Sequence, residues 1–98
     1  MALAVAAAPA PADPALQRGA WVALRDCGVC HAIGLDDVST NPKAPPFRQL
    51  RLRFNAIALE RRLHPMPATG HFEMPPQTLT ASDVPDLVAY IQSLKPRQ

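Results

Sequence analysis

The sequence predicts an all-α fold of three to five helices, and three patterns in its 98 residues indicate this. Apolar residues recur every three or four positions in three separate stretches, which is typical of amphipathic helices. Many of the twelve prolines are grouped between those stretches, where they mark helix boundaries. We find no segment with the two-residue alternation of a half-buried strand.

The first helix is predicted to begin at Pro14, with Asp13 as its N-cap. Asp accepts hydrogen bonds from the free N–H groups of a first turn, and Pro is favoured at the first helical position. The helical stripe consists of Leu16, Ala20, Ala23, Leu24 and Cys27. Gly19 interrupts this stripe at a cost of about 1 kcal/mol relative to Ala, so we expect another helix to approach closely there.

Residues 47–63 carry apolar side chains among arginines and predict one or two short helices, with a break near Phe54 and Asn55. The last helix carries the clearest stripe, formed by Val84, Leu87, Val88, Ile91 and Leu94. Either Ser82 or Thr80 can cap it, and Thr80 with Asp83 fits a capping box. Pro96 is expected to end it.

Residues 1–12 are almost all small and apolar and differ from the rest of the chain. We interpret them as a signal-peptide remnant or a disordered leader, since the first positive charge is Arg18. No run approaches the length of about 20 apolar residues that a membrane-spanning helix needs. Residues 13–98 then form one small domain, which buries little surface and needs a further cross-link or cofactor.

Both cysteines of the chain lie in the run Cys27-Gly28-Val29-Cys30-His31. A C-x-x-C-H run is the attachment signature of c-type haem, in which two thiols bond the vinyl groups and the histidine binds the iron. A thioredoxin-like pair requires a preceding strand, and a structural zinc site requires four Cys or His ligands. A plain disulfide is the remaining alternative. The motif therefore predicts one covalently bound haem c.

The net charge of the chain and the positions of its arginines limit the kinds of partner that it is expected to bind. The formal net charge is +2 and the sequence pI is about 8.8, which is too mild to indicate nucleic-acid binding. Five arginines are concentrated in one stretch, namely Arg48, Arg51, Arg53, Arg61 and Arg62. They form either a solvated helical face or a basic patch that docks an acidic redox partner.

The second axial ligand of the iron is not fixed by the motif. The candidates are Met66, Met74, His64 and His71, unless that face of the haem stays open. A thioether ligand raises the reduction potential and suits an electron carrier. A second imidazole gives a lower potential, and an open face suits gas binding or catalysis.

Residues 19–94 resemble the small class I cytochromes c. The resemblance is carried by Gly19 and by residues 27–34, 44–47, 69–75 and 86–94. In that family the Met of a Met-Pro pair before the last helix binds the iron, and Met74 matches it. A proline carbonyl also accepts the proximal imidazole N–H in the family, and Pro45 is the match, with Pro46 as the alternative.

The chain departs from the family pattern in two places. Ala23 stands where the family often has an aromatic residue, and Trp21 is a candidate to fill that space. The interval between His31 and Met74 is also short for the family, which implies a trimmed loop and a more exposed haem edge.

The resemblance implies a monomeric electron carrier, not an enzyme, that exchanges one electron with transient redox partners in the periplasm. The alternative function is a haem-based gas sensor or a peroxidase-like enzyme with a labile sixth ligand.

Overall fold

The computed structural model describes residues 13–64 and 79–95. In this part the chain forms helices α1 (Pro14–Val22), α2 (Phe47–Arg53), α3 (Ala56–Leu63) and α4 (Asp83–Ser93), and no strand. The all-α prediction is confirmed. None of the described helices is long and apolar enough to cross a membrane. Residues 1–12, the candidate ligands Met66, His71 and Met74, and Pro96 lie outside the described residues.

Helix α1 begins where the sequence predicts. The Asp13 carboxylate accepts a hydrogen bond from the Ala15 N–H at 2.9 Å, and Pro14 occupies the first helical position. The helix continues without a break into a π-helical turn, Ala23–Cys27, in which Gly28 N–H donates to the Ala23 carbonyl at 2.8 Å. Such turns are rare and often lie at functional sites. This one leads directly into the C-x-x-C-H run.

Helices α1 and α4 cross at Gly19. A Cβ atom at this position would lie 2.1 Å from the Asp86 carbonyl oxygen and 2.7 Å from the Tyr90 Cβ. The two backbones are therefore in direct contact, which confirms the close approach predicted for Gly19. Beside the crossing, Arg18 Nε donates to the Asp86 carboxylate at 2.9 Å.

The core lies between α4 and the other three helices. All five members of the stripe predicted on α4 are buried, and Leu87 and Ile91 are among the largest fully buried side chains. Phe47 of α2 and Leu59 and Leu63 of α3 pack in the same cluster. Cys27 also belongs to this cluster, so the C-x-x-C-H run begins inside the core.

The predicted break between the two middle helices is confirmed at Phe54 and Asn55. Phe54 is extended, and the Asn55 side chain accepts the Ala58 N–H at 2.8 Å to start α3. Helix α4 is tied to this bend by two hydrogen bonds. Gln92 Nε2 donates to the Phe54 carbonyl at 3.2 Å, and Arg51 Nε donates to the Gln92 carbonyl at 3.1 Å.

A reciprocal capping box starts α4, as the sequence predicts. The Thr80 N–H donates to the Asp83 carboxylate at 3.0 Å, and the Asp83 N–H donates to the Thr80 hydroxyl at 3.2 Å. Ser82 occupies the N-cap position but makes no capping hydrogen bond with its side chain. Pro85 falls in the first turn, where its missing N–H costs no intrahelical hydrogen bond.

The capping box predicts a pH-dependent contribution to stability. The hydrogen bond from the Thr80 N–H, followed by those from the Thr80 hydroxyl and Arg25, lowers the pKa of Asp83. A lowered pKa stabilises the fold above the unfolded-state pKa of about 3.9, and this stabilisation disappears as the pH falls through the folded-state pKa. We expect Asp83→Asn to lower the free energy of unfolding at neutral pH by about 1 kcal/mol.

Denaturant unfolding followed by circular dichroism at several pH values measures this difference. It should shrink toward zero as the pH falls through the lowered folded-state pKa of Asp83, because the wild-type side chain then becomes neutral like that of Asn. Glu60→Gln is the matched control, because in the described part of the chain Glu60 forms one exposed pair, with His64 at 3.5 Å. A difference between wild type and Asp83→Asn that stays constant with pH would contradict the prediction.

Candidate cofactor and metal centre

One turn of the chain brings together three of the residues that the motif singles out. The N–H groups of Cys30 and His31 both donate to the Cys27 carbonyl, at 3.2 and 2.9 Å. Cys27 is buried and Cys30 is half-buried, and both are free thiols, so they are not joined in a disulfide. The two sulfur-bearing residues and the imidazole therefore belong to one compact unit.

The surroundings of Cys27 do not suit thiol–disulfide exchange. Burial, with a smaller contribution from the Asp26 carboxylate, raises the pKa of the Cys27 thiol to about 12. A reactive exchange thiol has a lowered pKa and follows a strand. Cys27 instead ends a π-helical turn that continues α1.

His31 is held in one orientation and one tautomer. Its side chain is buried, and its Nδ1 lies 2.7 Å from the Pro45 carbonyl oxygen. Since a carbonyl only accepts, Nδ1 carries the proton, and the neutral ring has its lone pair on Nε2. The Phe47 ring packs against the imidazole at a centroid distance of 5.2 Å. This arrangement is the one that an imidazole ligand of a metal requires.

Backbone hydrogen bonds fix the segment between His31 and Pro45. The Asn41 N–H donates to the Cys30 carbonyl at 3.2 Å, and the Phe47 N–H donates to the Ala32 carbonyl at 2.9 Å. The Thr40 hydroxyl donates to the Val29 carbonyl. These contacts fold the segment back onto the C-x-x-C-H run, which brings the Pro45 carbonyl to the imidazole.

Three side chains that support this segment were not identified from the sequence. The Asp37 carboxylate accepts the N–H groups of Ile33 and Gly34 at 3.0 and 2.9 Å. Arg48 donates to the Asp37 carbonyl at 2.8 Å, and the Tyr90 hydroxyl donates to the Ile33 carbonyl at 2.6 Å. An Asp soon after a Gly is a turn signal that could have revealed Asp37. The contacts of Arg48 and Tyr90 join distant parts of the chain and so produce no local sequence pattern that would predict them.

The five arginines of residues 48–62 differ in their contacts. Arg48 and Arg51 donate to backbone carbonyls of other segments and support the fold. Arg53 donates a hydrogen bond to the Gln49 side-chain oxygen at 3.4 Å, and Arg62 lies over the Phe54 ring at 4.3 Å. Arg61 is exposed. Of the five arginines, Arg53, Arg61 and Arg62 are exposed, and Arg48 and Arg51 are half-buried.

The donor set fits a haem. Two free thiols and a buried imidazole of defined tautomer lie in one turn, and Cys27 faces an apolar core. Of the four candidates for the second axial position, only His64 lies in the described part, where it is exposed and lies near Glu60. Within residues 13–64 and 79–95, no group of three or more His, Cys, Asp or Glu side chains is placed to hold a metal ion.

Comparison with known proteins gave one result. A family model described as Cytochrome c matches residues 16–95, which is most of the chain and includes the C-x-x-C-H run and all four helices except the first two residues of α1. No curated protein and no solved structure matched the chain.

Proposed function

Because this chain belongs to the cytochrome c family, a family of haem-based electron-transfer proteins, we propose that it carries one electron at a time on a single haem c. Cys27 and Cys30 would attach the haem covalently, and His31 and Met74 would bind its iron. The observation that carries the proposal is the buried His31 imidazole, whose Nδ1 lies 2.7 Å from the Pro45 carbonyl oxygen.

Bound haem supplies a reversible one-electron exchange between ferric and ferrous iron. The residues of the chain provide a fixed environment for that exchange. The Pro45 carbonyl holds the proton on Nδ1 of His31, which directs the Nε2 lone pair to the metal and raises its basicity. The Asp37 and Tyr90 contacts keep the segment around His31 in place, so that little of the protein has to move when the charge changes.

The assignment of Met74 is supported by the family resemblance, because it occupies a Met-Pro pair shortly before α4. A thioether ligand stabilises reduced iron and so suits a carrier. We assign the chain to the periplasm, since the thioether bonds are formed outside the cytoplasm in bacteria and residues 1–12 resemble the end of an export signal. It acts there as a monomeric carrier rather than as an enzyme.

Redox partners of this carrier dock transiently. The positive charges of Arg53, Arg61 and Arg62 attract an acidic partner over a distance of about the screening length, roughly 8 Å at physiological salt. Arg48 and Arg51 contribute to docking indirectly, because they stabilise the fold through hydrogen bonds to backbone carbonyls.

The spectrum of the purified exported protein tests the function. We expect covalent haem, a six-coordinate ferric spectrum with the weak red band of Met–iron ligation, and no reaction of the reduced protein with carbon monoxide. Ready carbon monoxide binding would contradict the carrier and favour the gas sensor or the peroxidase-like enzyme. Absence of covalent haem would contradict the carrier, the gas sensor and the peroxidase-like enzyme alike.

Met74→Leu tests the second axial ligand. Leucine fills a similar volume but has no sulfur, so we expect the red band to disappear and the reduced protein to bind carbon monoxide. Met66→Leu is the matched control and should leave both properties unchanged. Loss of the red band in Met66→Leu with its retention in Met74→Leu would show that Met66 is the ligand.

A further inference from the structure

A buried carboxylate lies next to the first cysteine of the C-x-x-C-H run. Asp26 precedes Cys27 in the π-helical turn, and its side chain is 5% exposed. Asp26 and His31 are the two polar or charged residues that are buried in the described part of the chain. A buried charge acts on its surroundings through a low effective dielectric constant, so its field is strong there. The charge of Asp26 therefore acts on the start of the C-x-x-C-H run.

Arg25 pairs with this carboxylate through two hydrogen bonds. Its Nε donates to one carboxylate oxygen of Asp26 at 3.0 Å, and its Nη2 donates to the other at 2.8 Å. Two-point pairs of this kind are strong and fix the orientation of both groups. The same Nη2 donates to the Asp83 carboxylate at 3.2 Å, and the capping box of α4 holds Asp83 in turn. The guanidinium is therefore fixed between the π-helical turn and α4, although it is 43% exposed.

The two charges act in opposite directions on the Cys27 sulfur. The pKa of the Cys27 thiol is raised to about 12, mainly by burial; the Asp26 carboxylate adds to the rise, and the Arg25 guanidinium opposes it. A carboxylate disfavours further negative charge nearby, whereas a guanidinium favours it. Both fields thus reach the sulfur atom to which a haem would be attached.

We propose that Arg25 sets the reduction potential of the haem site by neutralising the buried carboxylate of Asp26. Reduction adds one electron at the iron, so an unpaired carboxylate beside the attachment turn would favour ferric iron and lower the potential. The two-point pair with Arg25 offsets that effect. This inference rests on the proposed attachment of a haem at Cys27 and Cys30, and it does not depend on which residue is the second axial ligand.

A link between helices does not by itself require this arrangement. Arg18 and Asp86 already join α1 to α4 by an ion pair of 2.9 Å, in which the two side chains are 61% and 18% exposed. That pair needs no buried carboxylate. The pair of Arg25 and Asp26 differs because its carboxylate is buried, and burial of a charge is costly unless the charge is paired. It also differs in its position directly before Cys27.

Redox titration of the holoproteins, followed by their visible spectra, tests the proposal. For Arg25→Gln we expect the potential to fall by about 59 mV, which is a tenfold change in a one-electron redox equilibrium. Asp26→Asn should raise the potential. The double variant Arg25→Gln with Asp26→Asn should return to within about twofold of the wild-type equilibrium. A double variant with a potential as low as that of Arg25→Gln would show that Arg25 does not act on Asp26, and would overturn the proposal.

Arg18→Gln is the matched control, because it also removes a guanidinium that joins α1 to α4. Arg18 precedes Arg25 by about 10 Å along the helix, which is more than the screening length of about 8 Å at physiological salt. We therefore expect the redox equilibrium of Arg18→Gln to change by less than about twofold. Equal falls in potential for the two variants would show an effect of net charge alone and would overturn the role of Arg25.

Arg25→Lys separates the charge of Arg25 from its packing. Lysine keeps the positive charge but lacks the planar fork, so we expect it to recover at least about half of the fall in potential. If the potential of Arg25→Lys is as low as that of Arg25→Gln, the fall comes from disturbed packing and the proposal is rejected. The ferric spectrum of Arg25→Gln should match that of the wild type. A changed spectrum would attribute the fall to altered ligation of the iron and would also count against the proposal.

The same measurements separate this inference from the proposed function. A wild-type protein without covalent haem would contradict the proposed function, and this inference with it. If the wild type carries haem and its potential equals that of Arg25→Gln, the electron carrier stands and the role of Arg25 is wrong.

Discussion

Cys27→Ala combined with Cys30→Ala is expected to remove both the covalent haem and the stable fold. The described core is small, and Cys27 lies within it among residues of α1, α3 and α4. A domain of this length buries too little apolar surface to be comfortably stable without a cross-link or cofactor. We expect no haem signal after denaturing electrophoresis and a loss of most helical circular dichroism at 37 °C.

The two single variants should differ in stability. Each keeps one thiol and so retains one thioether bond, but Cys27→Ala also removes a buried sulfur from the core, whereas Cys30 is half-buried. We therefore expect a larger fall in melting temperature for Cys27→Ala. Val29→Ala is the matched control, because Val29 lies between the two thiols and is 77% exposed. A double variant that melts at the wild-type temperature would show that the haem does not stabilise the fold.

Much of the fold was predictable because local rules determine helix ends. Asp13 before Pro14, Asn55 after a break in the apolar pattern, and the Thr80–Asp83 capping box each act within four residues of sequence. Helix boundaries set by such contacts can be derived from a single sequence, since capping requires only the correct residue at the correct offset.

The supports of the candidate site were less predictable because they join distant segments. Tyr90 contacts Ile33, which lies 57 residues earlier, and Arg51 contacts Gln92, which lies 41 residues later. Neither contact leaves a periodic signal, and Tyr90 looks like any half-buried residue of an amphipathic helix. The arginines show the same limit, since the sequence could not distinguish Arg48, which supports the turn at Asp37, from the exposed Arg61.

The C-x-x-C-H run is different in kind. The spacing of its residues is enough to predict Cys27, Cys30 and His31 as a haem site. Pro45 was predicted from the family resemblance instead. The structure adds the 2.7 Å contact between Pro45 and His31, which no spacing rule predicts.

Gly19→Ala is expected to destabilise the protein by about 3 kcal/mol, although alanine is the better helix former. Helix propensity alone would stabilise α1 by about 1 kcal/mol. The added methyl group, however, would lie 2.1 Å from the Asp86 carbonyl oxygen, a backbone atom that cannot turn aside. Helices α1 and α4 must then move apart, and overpacking of this kind costs more than the propensity gains. Denaturant unfolding of the wild-type and Gly19→Ala holoproteins measures the difference in their free energies of unfolding.

Gly34→Ala provides the matched control, because it adds the same methyl group at a position outside the helix crossing. Its nearest neighbour would be the Asp37 side-chain oxygen at 3.0 Å, which has to give by only a few tenths of an ångström and so keeps its hydrogen bonds from the Ile33 and Gly34 N–H groups. We expect a change below about 1 kcal/mol there. Since α1 continues directly into the turn that ends at Cys27, displacement of α1 should also disturb the haem site, and Gly19→Ala should bind carbon monoxide more readily than Gly34→Ala. A Gly19→Ala variant as stable as the wild type would mean that the two helices do not cross at the observed distance.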